Sequence, residues 1–257
     1  MLLLAGLWGC AAEDVQRTGV PLRSPPLGPS TAPLAGAIRT IVIDAGHGGH
    51  DPGTSHFGLR EKFLALDIAK RLRTELQSAG LKVVMTRDSD QFIPLSRRPA
   101  IANRMAADLF VSVHINANRK SHVSGAEVYY PRVSVVSSNA HWPPSVRSSE
   151  VAIPSTTVKQ VLWDLVLGRT RSHSRRLAAT ICRSMRDGLG VACRGPKAAR
   201  FVVLREAWMP SVLVEVGYVS NPAEAKRLSN PQYRQVAAES IGRGVIAYIR
   251  ELGAEHI

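Results

Sequence analysis

The chain has 257 residues, 45% of them hydrophobic and 21% charged, enough to bury one sizeable core and too balanced for a disordered or fibrous protein. Its 33 Lys and Arg against 20 Asp and Glu leave a formal charge of +13, which favours an anionic partner such as nucleic acid, a membrane surface or an acidic polymer. Nucleic acid is set aside, because only 5% of the residues are aromatic and no base-reading module is visible.

In chain order, MLLLAGLWGC is a short apolar run closed by Gly9 and Cys10, with acidic and polar residues after it. It resembles the lipobox of an exported lipoprotein, with Cys10 as the lipidated residue and residues 1–10 as the signal. That implies a periplasmic or cell-envelope protein whose only membrane tie is a lipid anchor, since no later run reaches the roughly 18 apolar residues of a membrane span. Residues 11–37 are rich in Pro, Gly, Ser and Thr and read as a flexible tether, with order beginning near Ile38.

From there RTIVIDAG reads as a buried strand. EKFLALDIAKRLRTELQSAG reads as an amphipathic helix, with Leu64, Ile68, Leu72 and Leu76 at four-residue spacing and Gly80 at its end. LKVVMTR is a second strand, LSRRPAIANRMAA a second helix, DLFVSVHINA a third strand and GAEVYYP a fourth. Residues 132–160 break this rhythm with prolines and serines and read as an inserted loop or lid. VLWDLVLGRTRSHSRRLAATICRSMRDGLG then carries a long helical pattern, whose basic face of Arg169, Arg171, Arg175 and Arg176 is expected to be solvated. FVVLR and SVLVEVGYVS read as the last two strands, and PQYRQVAAESIGRGVIAYIREL as the C-terminal helix. Strands alternating with helices predict a single α/β domain with its sheet covered on both faces. With the geometry of a bridge unknown, Cys182 and Cys193 are expected as free buried thiols.

A catalytic zinc takes a few nitrogen, sulfur or oxygen ligands, usually three from the protein, and in an open α/β sheet it belongs beyond the carboxyl ends of the strands. Four candidates fall there. His47 follows the first strand, Glu61 opens the first helix, His114 is near the end of VSVHINA, and Glu215 is inside VLVEVG. Singly, each histidine also reads as a local hydrogen-bonding or core residue, and Glu61 as a complement to the helix dipole. Glu215 is harder to dismiss, because a carboxylate between Val214 and Val216 is costly unless paired, protonated or beside a metal. Together they form the set that metal-assisted hydrolysis requires.

The segments IVIDAGHGGHDPG, GLREKFLALDIAKRL, TRDSDQFIPLSRRPAIAN, FVSVHINAN, SGAEVYY and MPSVLVEVGYVSNPAEAKRL, in this order, resemble the zinc-dependent N-acetylmuramoyl-L-alanine amidases of bacterial cell-wall turnover and division. The resemblance covers residues 38–252 and implies a mixed six-stranded sheet with helices on both faces. It implies Zn²⁺ held by His47, Glu61 and His114, with Glu215 as the catalytic carboxylate. Asp44, Asp51, Arg98 and Asn116 match recurring positions and read as residues that orient the ligands or build the site. His50 falls where the pattern is looser and is left out. The implied reaction cleaves the amide between N-acetylmuramic acid and the L-Ala of the stem peptide, with carboxylate-rich peptidoglycan as the acidic polymer that the charge favours. In the division-associated members, the region equivalent to residues 132–160 covers the site until an activator protein moves it. Occlusion by this segment, with Glu150 at zinc's open position, is the corresponding expectation. A zinc peptidase and a cell-wall-binding protein with a dead site are the competing readings.

Overall fold

The computed structural model describes residues 38–132 and 156–254. In chain order the elements are β1 (Thr40–Ala45), a short hairpin β2 (Ser55–His56) and β3 (Leu59–Arg60), α1 (Glu61–Ser78), β4 (Lys82–Met85) and α2 (Arg97–Arg104). β5 (Leu109–Asn116), β6 (Ala126–Pro131), α3 (Thr156–Leu189), β7 (Cys193–Ala199) and α4 (Val202–Arg205) follow. The chain closes with β8 (Ser211–Tyr218), α5 (Pro222–Ser229) and α6 (Pro231–Ala254). The calls on Cys10, on the tether at 11–37 and on Glu150 lie outside the described residues. The helix α3 begins at Thr156, inside the range assigned to the insertion.

Six strands form one mixed sheet in the order β4-β1-β5-β8-β6-β7. β4, β1, β5 and β8 run parallel, while β6 runs antiparallel to β8 and parallel to β7. The carboxyl ends of the four parallel strands therefore share an edge with the amino ends of β6 and β7. Side chains alternate between faces along each strand. Ile41 and Ile43, Val111 and Val113, and Val212 and Val214 turn toward the larger core, where they meet Leu64, Ile68, Leu72 and Leu76 of α1, Leu177 and Ile181 of α3, and Ile241 and Val245 of α6. The opposite face carries a smaller core of Val42, Phe110 and Leu213, closed by Ala102 of α2 and by Val203 and Leu204 of α4. Helices thus cover both faces.

Two expectations are corrected. FVVLR is not a strand: residues Val202–Arg205 form one helical turn that drops Val203 and Leu204 into the smaller core. The sixth strand is CRGPKAA instead, a sequence of poor β-propensity that is tolerated because β7 is an edge strand and pairs only with β6. The second correction follows from the first. The chain reverses at Gly190, in the left-handed region at φ 64°, and lays the first residue of β7 against the last turns of α3. Cys182 and Cys193 are therefore disulfide-bonded rather than free, with Cα atoms 5.5 Å apart.

Candidate metal centre

At the carboxyl edge of β1 the backbone turns sharply to present His47. His47 itself is left-handed, at φ 59°, a conformation that a residue with a Cβ adopts only when its surroundings impose it. Two buried arginines impose it here. Arg98 donates from Nη1 to the Ala45 carbonyl (2.7 Å) and from Nη2 to the His47 carbonyl (2.8 Å). Arg87 donates from Nε to the same Ala45 carbonyl (2.9 Å) and from Nη2 to the carbonyls of Gly46 (2.7 Å) and Lys62 (2.8 Å). Arg98 is in turn paired through Nη1 with Asp44 Oδ1 at 3.0 Å, and that fully buried carboxylate also accepts from Thr86 and Ser112, at 2.7 Å each. The loop is thus clamped by charge-assisted hydrogen bonds from beneath.

On this frame three side chains converge. The Glu61 carboxylate, at the first position of α1, lies 2.9 Å from His114 Nδ1 through Oε1 and 3.1 Å from His47 Nε2 through Oε2. Backbone N–H groups of Ile115 and Thr54 donate to the same two oxygens, at 3.0 and 2.9 Å. The other ring nitrogen of His47 meets Asp51 Oδ2 at 2.8 Å, so Asp51 orients the ring and leaves Nε2 to face the cluster. Two glycines make the approach possible. A Cβ on Gly46 would stand 2.4 Å from the His114 ring, and one on Gly53, at φ 63°, would stand 2.5 Å from Glu61.

One donor atom from each of His47, Glu61 and His114 lies within 4.8 Å of the others, a spacing that a single metal ion can bridge. The electrostatics point the same way. Burial by itself would raise the Glu61 pKa, but hydrogen bonds and charge from His114 and His47 outweigh it and hold the carboxyl well below the usual range. Burial would lower the His47 pKa, and Glu61 and then Asp51 outweigh it and raise it. A carboxylate and an imidazole that each favour their charged form when pressed together describe a site that holds positive charge, as a proton or as a metal ion.

Glu215 stands beside this cluster. It is opposite His114 in the β5–β8 register and opposite Glu127 in the β6–β8 register. It is partly exposed yet closely surrounded by protein, and its Oε2 has no hydrogen-bond partner among the described residues. Burial, followed by the like charges of Glu61 and Glu127, raises its pKa well above that of an ordinary carboxylate.

The family of N-acetylmuramoyl-L-alanine amidases matches residues 41–247 of the chain. The chain belongs to this amidase family. It is 36% identical to the N-acetylmuramoyl-L-alanine amidase AmiA of Escherichia coli, over 84% of this chain and 78% of that one. Among solved structures, AmiC2 of Nostoc punctiforme superposes with a TM-score of 0.65 at 32% identity, covering 82% of this chain and 97% of the other. The CwlD amidase of Clostridioides difficile, solved in complex with the GerS lipoprotein, gives a TM-score of 0.62 at 25% identity, covering 82% and 98%. The chain is accordingly an amide hydrolase of the muramoyl–L-alanine class, with the mixed six-stranded sheet of the amidase structures.

Of the positions that the resemblance to the amidases singles out, His47, Glu61, His114 and Glu215 share one edge of the sheet, and Asp44, Asp51 and Arg98 support them directly. Asn116 does something else: its side chain accepts from the Ala117 N–H at 2.8 Å, shaping the turn after β5 where the β5–β8 register shifts. His50 points away from the cluster and packs on Phe92, with ring centroids 4.1 Å apart. Three residues of the amidase site escaped the sequence. Arg87 shares the loop clamp with Arg98, and its signal is an arginine closing the segment LKVVMTR. Glu224 binds the N–H groups of Gly125 (2.9 Å) and Tyr218 (2.7 Å), tying the start of β6 to the end of β8. Glu127 neighbours Glu215, and strand register alone reveals it.

Proposed function

We propose that His47, Glu61 and His114 hold a Zn²⁺ ion and that Glu215 moves the protons as the amide between N-acetylmuramic acid and the L-Ala of the stem peptide is hydrolysed. The donor set fits that ion: two imidazoles and a carboxylate within reach of one centre, with His47 oriented by Asp51 and Glu61 by the N–H groups of Ile115 and Thr54. Bound there, Zn²⁺ supplies Lewis acidity toward the scissile carbonyl and toward water. Glu215 takes the proton of the attacking water and returns it to the departing amine of L-Ala. Burial and the like charges of Glu61 and Glu127 raise its pKa, the direction that suits a carboxyl that must take up a proton and pass it on. The clamp of Arg87, Arg98 and Asp44 keeps His47 in its left-handed turn, and Asp51 fixes its tautomer.

The observation that carries the assignment of Glu215 is its unpartnered, enclosed oxygen next to a ligand histidine. Cell-wall turnover or daughter-cell separation is the setting, and the excess of basic residues suits an acidic polymer. Export to the envelope belongs to the same proposal. The Cys182–Cys193 bond supports it, because such bonds persist in oxidising compartments. Lipidation at Cys10 is proposed with it and is read from the mass of detergent-extracted protein. Control by an activator protein is also proposed, with residues 132–160 as the responsive segment and the CwlD–GerS complex as precedent in a relative. Deleting residues 132–159 is expected to raise basal activity, and unchanged activity contradicts that control.

Mass spectrometry of digested cell walls tests the reaction. Intact stem peptides with a free L-Ala amine, released only without chelator, support the amidase. Shortened stems would instead assign a peptidase.

A further inference from the structure

One line of ionisable side chains crosses four neighbouring strands of the sheet, β5, β8, β6 and β7. Register pairs His114 of β5 with Glu215 of β8, Glu215 with Glu127 of β6, and Glu127 with Arg194 of β7. Glu127 is buried, and its carboxylate is fully engaged. Lys197 Nζ donates to Oε1 at 2.7 Å and the Tyr129 hydroxyl donates to Oε2. Arg194 Nη1 stands 3.8 Å from Oε1, beyond hydrogen-bond distance, with 44% of its side chain exposed. The Lys197 side chain is 42% exposed, and its ammonium also lies 5.8 Å from the centre of the Tyr129 ring. Among the described residues, two cations thus face the Glu127 carboxylate, on the strand beside Glu215.

We propose that Lys197 and Arg194 form a subsite for the α-carboxylate of the second stem residue, the γ-linked glutamate that follows L-Ala. The inference rests on the amidase reading above, which fixes the direction of the substrate. Glu215 delivers its proton to the leaving amine, so the stem peptide departs on the Glu215 side of the triad, away from β1. Adjacent strands lie about 4.8 Å apart, so Glu127, one strand beyond Glu215, is one such step along that path. An extended peptide advances about 3.5 Å per residue. The first carboxylate after L-Ala thus reaches the level of Glu127, where the Lys197 ammonium is held and where the Arg194 guanidinium can reach back. Glu127 and Tyr129 act as positioning residues: they fix the ammonium at the cleft floor and themselves offer an anion nothing.

The test uses the full-length, zinc-loaded protein and two muramoyl-peptide oligomers identical except that the second stem residue is a free acid or its amide. The wild type is expected to favour the acid by about tenfold in kcat/KM, the scale of one charge-assisted contact at a half-exposed site. The Lys197→Ala, Arg194→Ala double variant should lose that preference, its acid-to-amide ratio of kcat/KM falling to about one, with metal content unchanged. Because Lys197→Ala strips a partner from buried Glu127, Arg194→Gln serves as the second variant. It leaves the Lys197–Glu127 pair intact and should lose about threefold on the acid only. Equal rates on acid and amide in the wild type, or a preference that survives in both variants, would overturn the subsite. Failure of the wild type to release a stem peptide with a free L-Ala amine from either oligomer would overturn the amidase reading itself, and the subsite with it.

Discussion

Asp44 on β1 and Glu215 on β8 lie two strands apart on the same face of the sheet, and protein encloses both carboxylates. Asp44 accepts hydrogen bonds from Thr86, Ser112 and Arg98, and the guanidinium that neutralises it also grips the loop bearing His47. Glu215 has Glu61 and Glu127 as charged neighbours, and one of its oxygens has no donor among the described residues. A buried charge with matched partners holds a structure together, whereas one left unmatched is tolerated only where it has another use. Two carboxylates with similar surroundings in the sequence thus divide into a strut and a proposed reagent, and the division follows from what each one touches.

The sharpest way to break that contrast is to remove a ligand. His114→Ala is expected to abolish stoichiometric metal binding and stem-peptide release together while leaving the fold intact, measured as metal per chain and by circular dichroism. Retained activity would detach the reaction from the triad. Asp44→Ala should act on stability instead. It strands Arg98 in the core without its counter-charge, a loss of about 3–5 kcal/mol in denaturant unfolding. A change below about 1 kcal/mol would mean that Asp44 is not the strut described here. Opening the Cys182–Cys193 bridge by Cys182→Ser is expected to cost about 2–3 kcal/mol, because the bond closes a short loop on the larger-core face of the sheet, with amidase turnover preserved.

Asp51→Ala leaves all three ligands in place and only frees the His47 ring, so metal affinity should fall by about 10–100-fold, read by competition with a chelator. The smallest effect is on pH dependence. His47 has a raised pKa in the metal-free fold, so its contribution to stability is complete below about pH 6.5 and is lost as pH rises through the raised value. Glu61 has a lowered pKa, so its contribution is present above about pH 4.3 and is lost as pH falls toward the lowered value. The chelated protein should therefore melt highest between those limits and decline above them. Zinc should remove the alkaline decline by taking the place of the proton. An identical alkaline slope with and without zinc would separate His47 from the metal.

Much of this was legible in the sequence because it depends on local pattern. The four-residue spacing of Leu64, Ile68, Leu72 and Leu76 marks the helix behind the site, and the alternation in IVID and VSVHIN marks the strands that end at it. Glu215 stood out because an acid between valines is costly. What stayed hidden depends on register and chain reversal. Glu127 resembles any strand residue until the β6–β8 register sets it opposite Glu215. FVVLR has the composition of a strand but spends its apolar residues on one helical turn, and CRGPKAA looks like a loop but pairs at the sheet edge. Once that edge was misplaced, the partner of Cys182 was out of reach as well.

The central claim is that Glu215 acts beside the metal and not on it. Measuring bound zinc and stem-peptide release for Glu215→Gln on the same preparation tests it most directly. The account predicts one zinc per chain, as in the wild type, with turnover reduced by about 10²–10⁴-fold. Loss of zinc together with activity, or a wild-type rate with zinc in place, would contradict it.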